Sequence, residues 1–143
     1  MRAAVFKKKH HLQLTDIKKP VLDSDEILIK LKACGVCGTD LHIYNGEEGA
    51  APTPSGTVLG HEFSGVVSDV GADVKEINPG DRVCVDPNDI CGHCYYCKKG
   101  EAHFCENMIG YGTTVNGGFA QYCRVREKQA YRFDDSISFE EAA

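Results

Sequence analysis

The sequence predicts a mainly β protein with short helices, its strands arranged as a barrel or sandwich rather than a parallel sheet. Three observations predict this class. Six short apolar runs read as strands, clusters of Gly, Pro, Asp and Ser separate them, and 143 residues suffice for one domain with a single core.

Taken in order, AAVF (3–6) and LQLTDI (12–17) open the chain as short strands, and LDSDE (22–26) supplies the turn after them. EILIKLKAC (26–34) alternates Ile27, Ile29, Leu31 and Ala33 with Lys30 and Lys32, the pattern of a half-buried strand. LHIYNG (41–46) reads as a short helix with Thr39 as its N-cap. The loop EEGAAPTPSG (47–56) leads to strand FSGVVSDV (63–70), and INPGD (77–81) turns the chain into DRVCVDP (81–87). GGFAQYCRV (117–125) is the last strand, and Ser138 with Glu141 forms the S-x-x-E of a capping box where a helix should open. There is no internal repeat and no low-complexity tract.

Composition narrows the function classes. The net charge is −5 and the only basic run, Lys7 to Lys9, is short, so nucleic acid is not an expected partner. No apolar stretch approaches the roughly 18 residues of a membrane-spanning helix, and MRAAVFKKKHH lacks the apolar core of a signal peptide. The expected location is the cytoplasm, where thiols stay reduced. Eight cysteines there point to metal or catalysis rather than to bridging.

Four of them stand in CGHCYYCKKGEAHFC, residues 91–105, spaced C-x2-C-x2-C-x7-C. Thiolates of Cys91, Cys94, Cys97 and Cys105 would satisfy tetrahedral zinc and leave no coordination position open, so this site holds structure and does no chemistry. Two local disulfides or a redox pair are the alternatives, and the spacing differs from the usual iron–sulfur runs. A second group begins at Cys34 and Cys37, a C-x-x-C that follows no obvious βαβ unit. His61 and Glu62 come about twenty residues later in VLGHEFSG. One thiolate, one imidazole and one carboxylate make a three-ligand zinc set with an open position, as a catalytic metal requires.

The order CGVCGTDLH, GHEFSG, NPGDRV and CGHCYYCKKGEAHFC resembles the zinc-dependent medium-chain alcohol dehydrogenases. TDLHIYNGE and VNGGFAQYCRV are most similar to the polyol (sorbitol-type) and threonine dehydrogenase branch. The resemblance implies a GroES-like β-barrel with a zinc-binding cysteine lobe. It implies a catalytic zinc at Cys37, His61 and Glu62, a structural zinc at the four lobe cysteines, and Asp40 orienting the ligand histidine through its other ring nitrogen. Cys34 matches no ligand position; like Cys84 and Cys123 it is expected as a small buried hydrophobe.

An alcohol must lose its hydroxyl proton as hydride leaves its carbon, and a Lewis acid eases that loss. In the family's pattern Thr39 is the hydroxyl relay to the alcohol oxygen, and His42 passes the proton to water through the cofactor ribose, a task suited to an imidazole. Tyr44 and the loop 46–57 are expected at the pocket mouth. The implied substrate is a secondary alcohol, a polyol or threonine, with NAD or NADP as hydride acceptor and a homo-oligomer, dimer or tetramer, as the working enzyme.

A nicotinamide cofactor needs a glycine-rich phosphate loop between strand and helix. The nearest candidate, Gly110 to Val115, lacks the third glycine and the βαβ context. Residues 1–143 are therefore expected to be the catalytic domain of a longer enzyme, with the Rossmann domain and a further zinc-proximal glutamate beyond residue 143, and the isolated chain is expected to be inactive. A complete zinc-binding interaction module is the competing expectation, and a metal-dependent lyase or hydrolase is a remote one.

Overall fold

The computed structural model of the protein describes residues 1–47 and 52–143. The described elements run β1 (Arg2–Lys8), β2 (His11–Asp16), β3 (Glu26–Gly35), α1 (Gly38–Asn45), β4 (Glu62–Val70), β5 (Arg82–Val85) and β6 (Asn88–Asp89). After these come α2 (Tyr95–Lys98), β7 (Ile109–Gly110), β8 (Tyr122–Arg126) and β9 (Ala130–Arg132). Single 3-10 turns lie at Ala102–Phe104 and Glu127–Gln129. No helix among the described residues is long and apolar enough to cross a membrane.

The main sheet is antiparallel with strand order β8-β3-β4-β5-β9. Its β-branched and aromatic residues bury one face: Ile27, Ile29, Phe63, Val67, Val83 and Val125 form one cluster. Register explains who meets whom, since Ile27 pairs with Val125 and Ile29 with Cys123 across β3 and β8. The expected alternation along β3 is present, with Lys30 and Lys32 exposed and Ile27 and Ile29 buried.

The strands do not close into the expected barrel. β1 and β2 form their own two-stranded sheet, β6 and β7 another, and the edges β8 and β9 of the main sheet are not paired with each other. Between the sheets the chain is held by isolated bridges, Ala3 with Ala120 and Val5 with Val58, and by amides of Gly117 and Phe119 donating to the carbonyls of Val58 and Leu59. The reason lies in residues 117–121, where a strand was expected: the glycine-rich start hydrogen-bonds irregularly and ladder pairing begins only at Tyr122.

Residues 110–115 make a tight turn, with Thr113, Thr114 and Val115 amides returning to the Gly110 carbonyl. No helix follows it, so it is not a phosphate loop. The Ser138–Glu141 reciprocal bonds form as expected, Ser138 N–H to Glu141 at 2.9 Å and Glu141 N–H to Ser138 Oγ at 3.2 Å, but on a turn rather than a helix.

Phe63 is 1 % exposed at the centre of the main cluster, directly after Glu62. Phe63→Ala is expected to lower stability by about 3–5 kcal/mol, read as a lower urea midpoint with a similar slope.

Candidate functional site

The pairing of β3 with β4 sets Gly35 opposite Glu62. Cys37, two residues past the end of β3, and His61, one residue before β4, therefore emerge at the same end of the sheet. One ligand atom from each of Cys37, His61 and Glu62 lies within 4.8 Å of the others. Glu62 is exposed and lies close over the facing glycine: a Cβ on Gly35 would stand 3.0 Å from its Oε2.

The N-cap of α1 is Cys37, which corrects the expectation that Thr39 caps it. The Cys37 N–H donates to Asp40 Oδ2 at 3.0 Å and the Asp40 N–H donates to the Cys37 carbonyl at 3.1 Å, so the helix opens two residues earlier than expected. Thr39 is thereby freed, and its Oγ1 lies 3.9 Å from Cys37 Sγ, which donates to it. The Thr39 backbone N–H, followed by the His61 ring, holds the Cys37 thiol below its ordinary range.

Asp40 is 4 % exposed and ties the two halves of the site together. While Oδ2 takes the Cys37 amide, Oδ1 accepts the Gly60 N–H at 3.2 Å. Burial pushes its carboxyl up, but the facing His61 ring and the two amides outweigh burial and leave it below the usual range. His61 Nδ1 faces Oδ1 at 3.6 Å, too long for a formed hydrogen bond, so the pair is a charge contact and Nδ1 is a buried polar atom without a partner. Gly60 has φ +85°, and a Cβ there would lie 2.5 Å from Phe119 and 2.8 Å from Cys34 Sγ; only glycine fits in GHE.

His42 sits one turn after Thr39 with its side chain 58 % exposed and Nδ1 2.6 Å from Glu47 Oε2. Glu47 is a partner that sequence reasoning missed; the available signal was a carboxylate placed directly after Gly46 at the helix end. Tyr44 donates its hydroxyl to the His10 carbonyl at 3.3 Å and packs edge-on against the His10 ring, so it braces α1 against the β1–β2 turn. Of the expected pocket-mouth loop, residues 48–51 lie outside the described residues. A groove of about 830 Å³ is lined by residues such as Val21, Tyr111, Val115 and Tyr122 and includes none of Cys37, His61 and Glu62.

All eight cysteines are free thiols, so no disulfide competes for the lobe. The sulfurs of Cys91, Cys94, Cys97 and Cys105 lie within 4.8 Å of one another, and Cys91 to Cys97 is 4.0 Å. A zinc–sulfur tetrahedron has edges of about 3.8 Å, so the tetrad fits a structural zinc. Backbone N–H groups of His93 and Cys94 point at the Cys91 thiol and hold it down to about 6, whereas burial and the neighbouring Cys94 push Cys97 up to about 12. Asp89, 1 % exposed, anchors the lobe to the main sheet through Arg126 at 3.0 Å and Lys128 at 2.5 Å. Of the cysteines expected as buried hydrophobes, Cys123 is 2 % exposed and burial pushes its thiol up to about 12. Cys34 is partly buried with the same direction, and Cys84 is more open than expected, on the outer side of β5.

Fold and site together define a zinc-type dehydrogenase domain. The alcohol dehydrogenase GroES-like domain matches residues 23–135, and the chain belongs to that family. It is 41% identical over 145 residues to an alcohol dehydrogenase of Geobacillus stearothermophilus, covering 100% of this chain and 43% of that protein. It is 40% identical over 134 residues to an L-threonine 3-dehydrogenase of Shewanella sp. (strain W3-18-1), covering 93% of this chain and 39% of that one. A solved structure described as a zinc-binding dehydrogenase from Sinorhizobium meliloti, bound to NADP, superposes with TM-score 0.91 at 35% identity over 97% of this chain and 40% of its own. The chain thus spans less than half the length of these relatives.

Two outcomes test the site. Cys94→Ser is expected to remove the lobe's zinc and lower the melting temperature while the metal affinity of Cys37, His61 and Glu62 stays nearly unchanged, as measured by elemental analysis and thermal unfolding. The second concerns pH. The facing Asp40, helped by Cys37 and opposed by burial, which lowers it, raises His61 in the metal-free protein from 6.5 to about 9. A folded value above the unfolded one means that the fold binds this proton more tightly. Its contribution to stability is therefore complete below about pH 6.5 and is lost as pH rises through about 9. Metal needs the neutral ring, so zinc uptake should release protons and strengthen from about pH 6.5 to 9, as followed by titration in weak buffer.

Proposed function

We propose that residues 1–143 form the zinc-binding catalytic domain of a longer dehydrogenase that transfers hydride from a secondary alcohol, a polyol or threonine to NAD or NADP. The observation that carries this reading is the convergence of Cys37, His61 and Glu62 within 4.8 Å at the start of α1, with Asp40 buried behind them. The thiolate, imidazole and carboxylate donors suit a zinc with an open position. The share of the dehydrogenase relatives that the chain spans, 39–43%, supports a nucleotide-binding domain elsewhere in the enzyme.

Cys37, His61 and Glu62 would hold a zinc, which would supply Lewis acidity to the alcohol oxygen. The chain's own residues divide the remaining work. Asp40 fixes the entry to α1 and the Gly60 amide, and so holds Cys37 and His61 in mutual reach. Thr39 Oγ1, beside Cys37, is the hydroxyl that takes the substrate proton and passes it on. His42 lies one helical turn further, exposed enough to exchange that proton with water. The four-cysteine lobe stabilises the domain and supports subunit contacts in a cytoplasmic dimer or tetramer.

Elemental analysis of the purified 143-residue protein should find about two zinc per chain, and alcohols with NAD should give no turnover. In the intact dehydrogenase, His42→Gln should lower kcat about 100-fold or more with zinc content unchanged. A chain with metal in the lobe alone, or an unimpaired His42→Gln enzyme, counts against the assigned site.

A further inference from the structure

α1 ends in a closure that returns a carboxylate to its own histidine. Gly46 takes the left-handed conformation, φ 61° and ψ 43°, and a Cβ there would also meet the Lys9 side chain at 3.2 Å. The Gly46 N–H donates to the Ile43 carbonyl at 3.0 Å, and the Glu47 N–H donates to the His42 carbonyl at 3.0 Å. This is the two-bond Schellman pattern, and it ties the Glu47 backbone to the turn that bears His42. The side chain then folds back along the helix. Its Oε2 lies 2.6 Å from His42 Nδ1, while Asn45 Nδ2 donates to Oε1 at 2.9 Å and fixes the plane of the carboxylate.

A short contact between an imidazole nitrogen and an ionised carboxylate has one chemical reading. The carboxylate can only accept, so the proton sits on Nδ1. Glu47 is ionised: the Asn45 amide, then the His42 ring, hold its carboxyl below the ordinary range, with the Lys9 charge nearby. A neutral imidazole without such a partner is free to carry its proton on either nitrogen.

We propose that Glu47 is the positioning residue for His42: its carboxylate keeps the proton on Nδ1 and leaves the Nε2 lone pair bare to accept the proton coming from the substrate side. The inference rests on the reading of His42 as the proton relay. Nε2 takes the proton, the ring becomes an imidazolium with Nδ1–H still on Glu47, and Nε2–H then returns the proton to water; no other bond changes. The negative carboxylate offsets the charge of that intermediate ring, the logic by which a carboxylate orients a catalytic histidine elsewhere. A purely structural helix end would need only the two backbone bonds and not the folded-back side chain.

The test reads the ring directly in the 143-residue protein. With 15N-labelled histidine at alkaline pH, two- and three-bond proton–nitrogen correlations should show His42 with a pyrrole-type Nδ1 and a pyridine-type Nε2. Glu47→Ala should reverse the major tautomer while the amide shifts of Ile43 to Gly46 stay in place. Glu47→Gln, whose amide oxygen can still accept, should restore the Nδ1–H form at least in part. A wild-type ring protonated mainly on Nε2, or an unchanged tautomer in Glu47→Ala, overturns the proposal. Neither result needs substrate, metal or cofactor, so the inference can fail while the dehydrogenase reading stands. A metal-free Cys37 site would fail that reading and leave the tautomer untouched.

Discussion

The antiparallel pairing of β3 with β4 is the constraint on which the rest of the site depends. Gly35 opposes Glu62 at its open end, so the residues that leave β3 and the residues that enter β4 must meet. The register shifts after Leu28 and again after Leu31, the second on the approach to that end. Asp40 then converts proximity into a fixed geometry. One buried carboxylate accepts an amide from each side, Cys37 and Gly60, and faces the His61 ring. Its buried charge is tolerated because those amides and the imidazole compensate for the lost water.

The two thiol clusters solve different problems with the same chemistry. The lobe gathers four sulfurs from fifteen consecutive residues, so its closure is local and its coordination complete. It is joined to the core through Asp89, whose buried carboxylate takes one cation from β8 and one from the 3-10 turn that follows it. The Cys37 cluster gathers three potential donors from segments more than twenty residues apart. A site of that kind needs the surrounding sheet to be right before it can work at all.

Much of this was legible beforehand. The alternation in EILIKLKAC, the β-branched run FSGVVSDV and the turn at Pro79 and Gly80 mark β3, β4 and the approach to β5, because side-chain period and turn chemistry are local properties. Other features were misread or missed for equally physical reasons. The cap of α1 went to Cys37 rather than Thr39 because an aspartate three residues on captured its amide, a choice between two good local partners. The glycine-rich start of the segment 117–125 pairs with residues 58–60 instead of extending β8, and the expected barrel stays open among the described strands. The hydrogen bond from the Tyr44 hydroxyl to the His10 carbonyl was missed, since the two residues lie far apart in the chain.

The sequence by itself determined the strand-rich class, the cysteine tetrad and the candidate donors Cys37, His61 and Glu62 of the second cluster. Spacing and residue chemistry suffice for these, because a tetrad within fifteen residues can close without the rest of the chain. Only the tertiary structure decided that Cys37 and the His61–Glu62 pair converge, that Asp40 bridges them, and that Glu47 turns back onto His42. Each of these depends on a register, a left-handed glycine or a buried hydrogen bond, and their free energies are settled by neighbours distant in the chain.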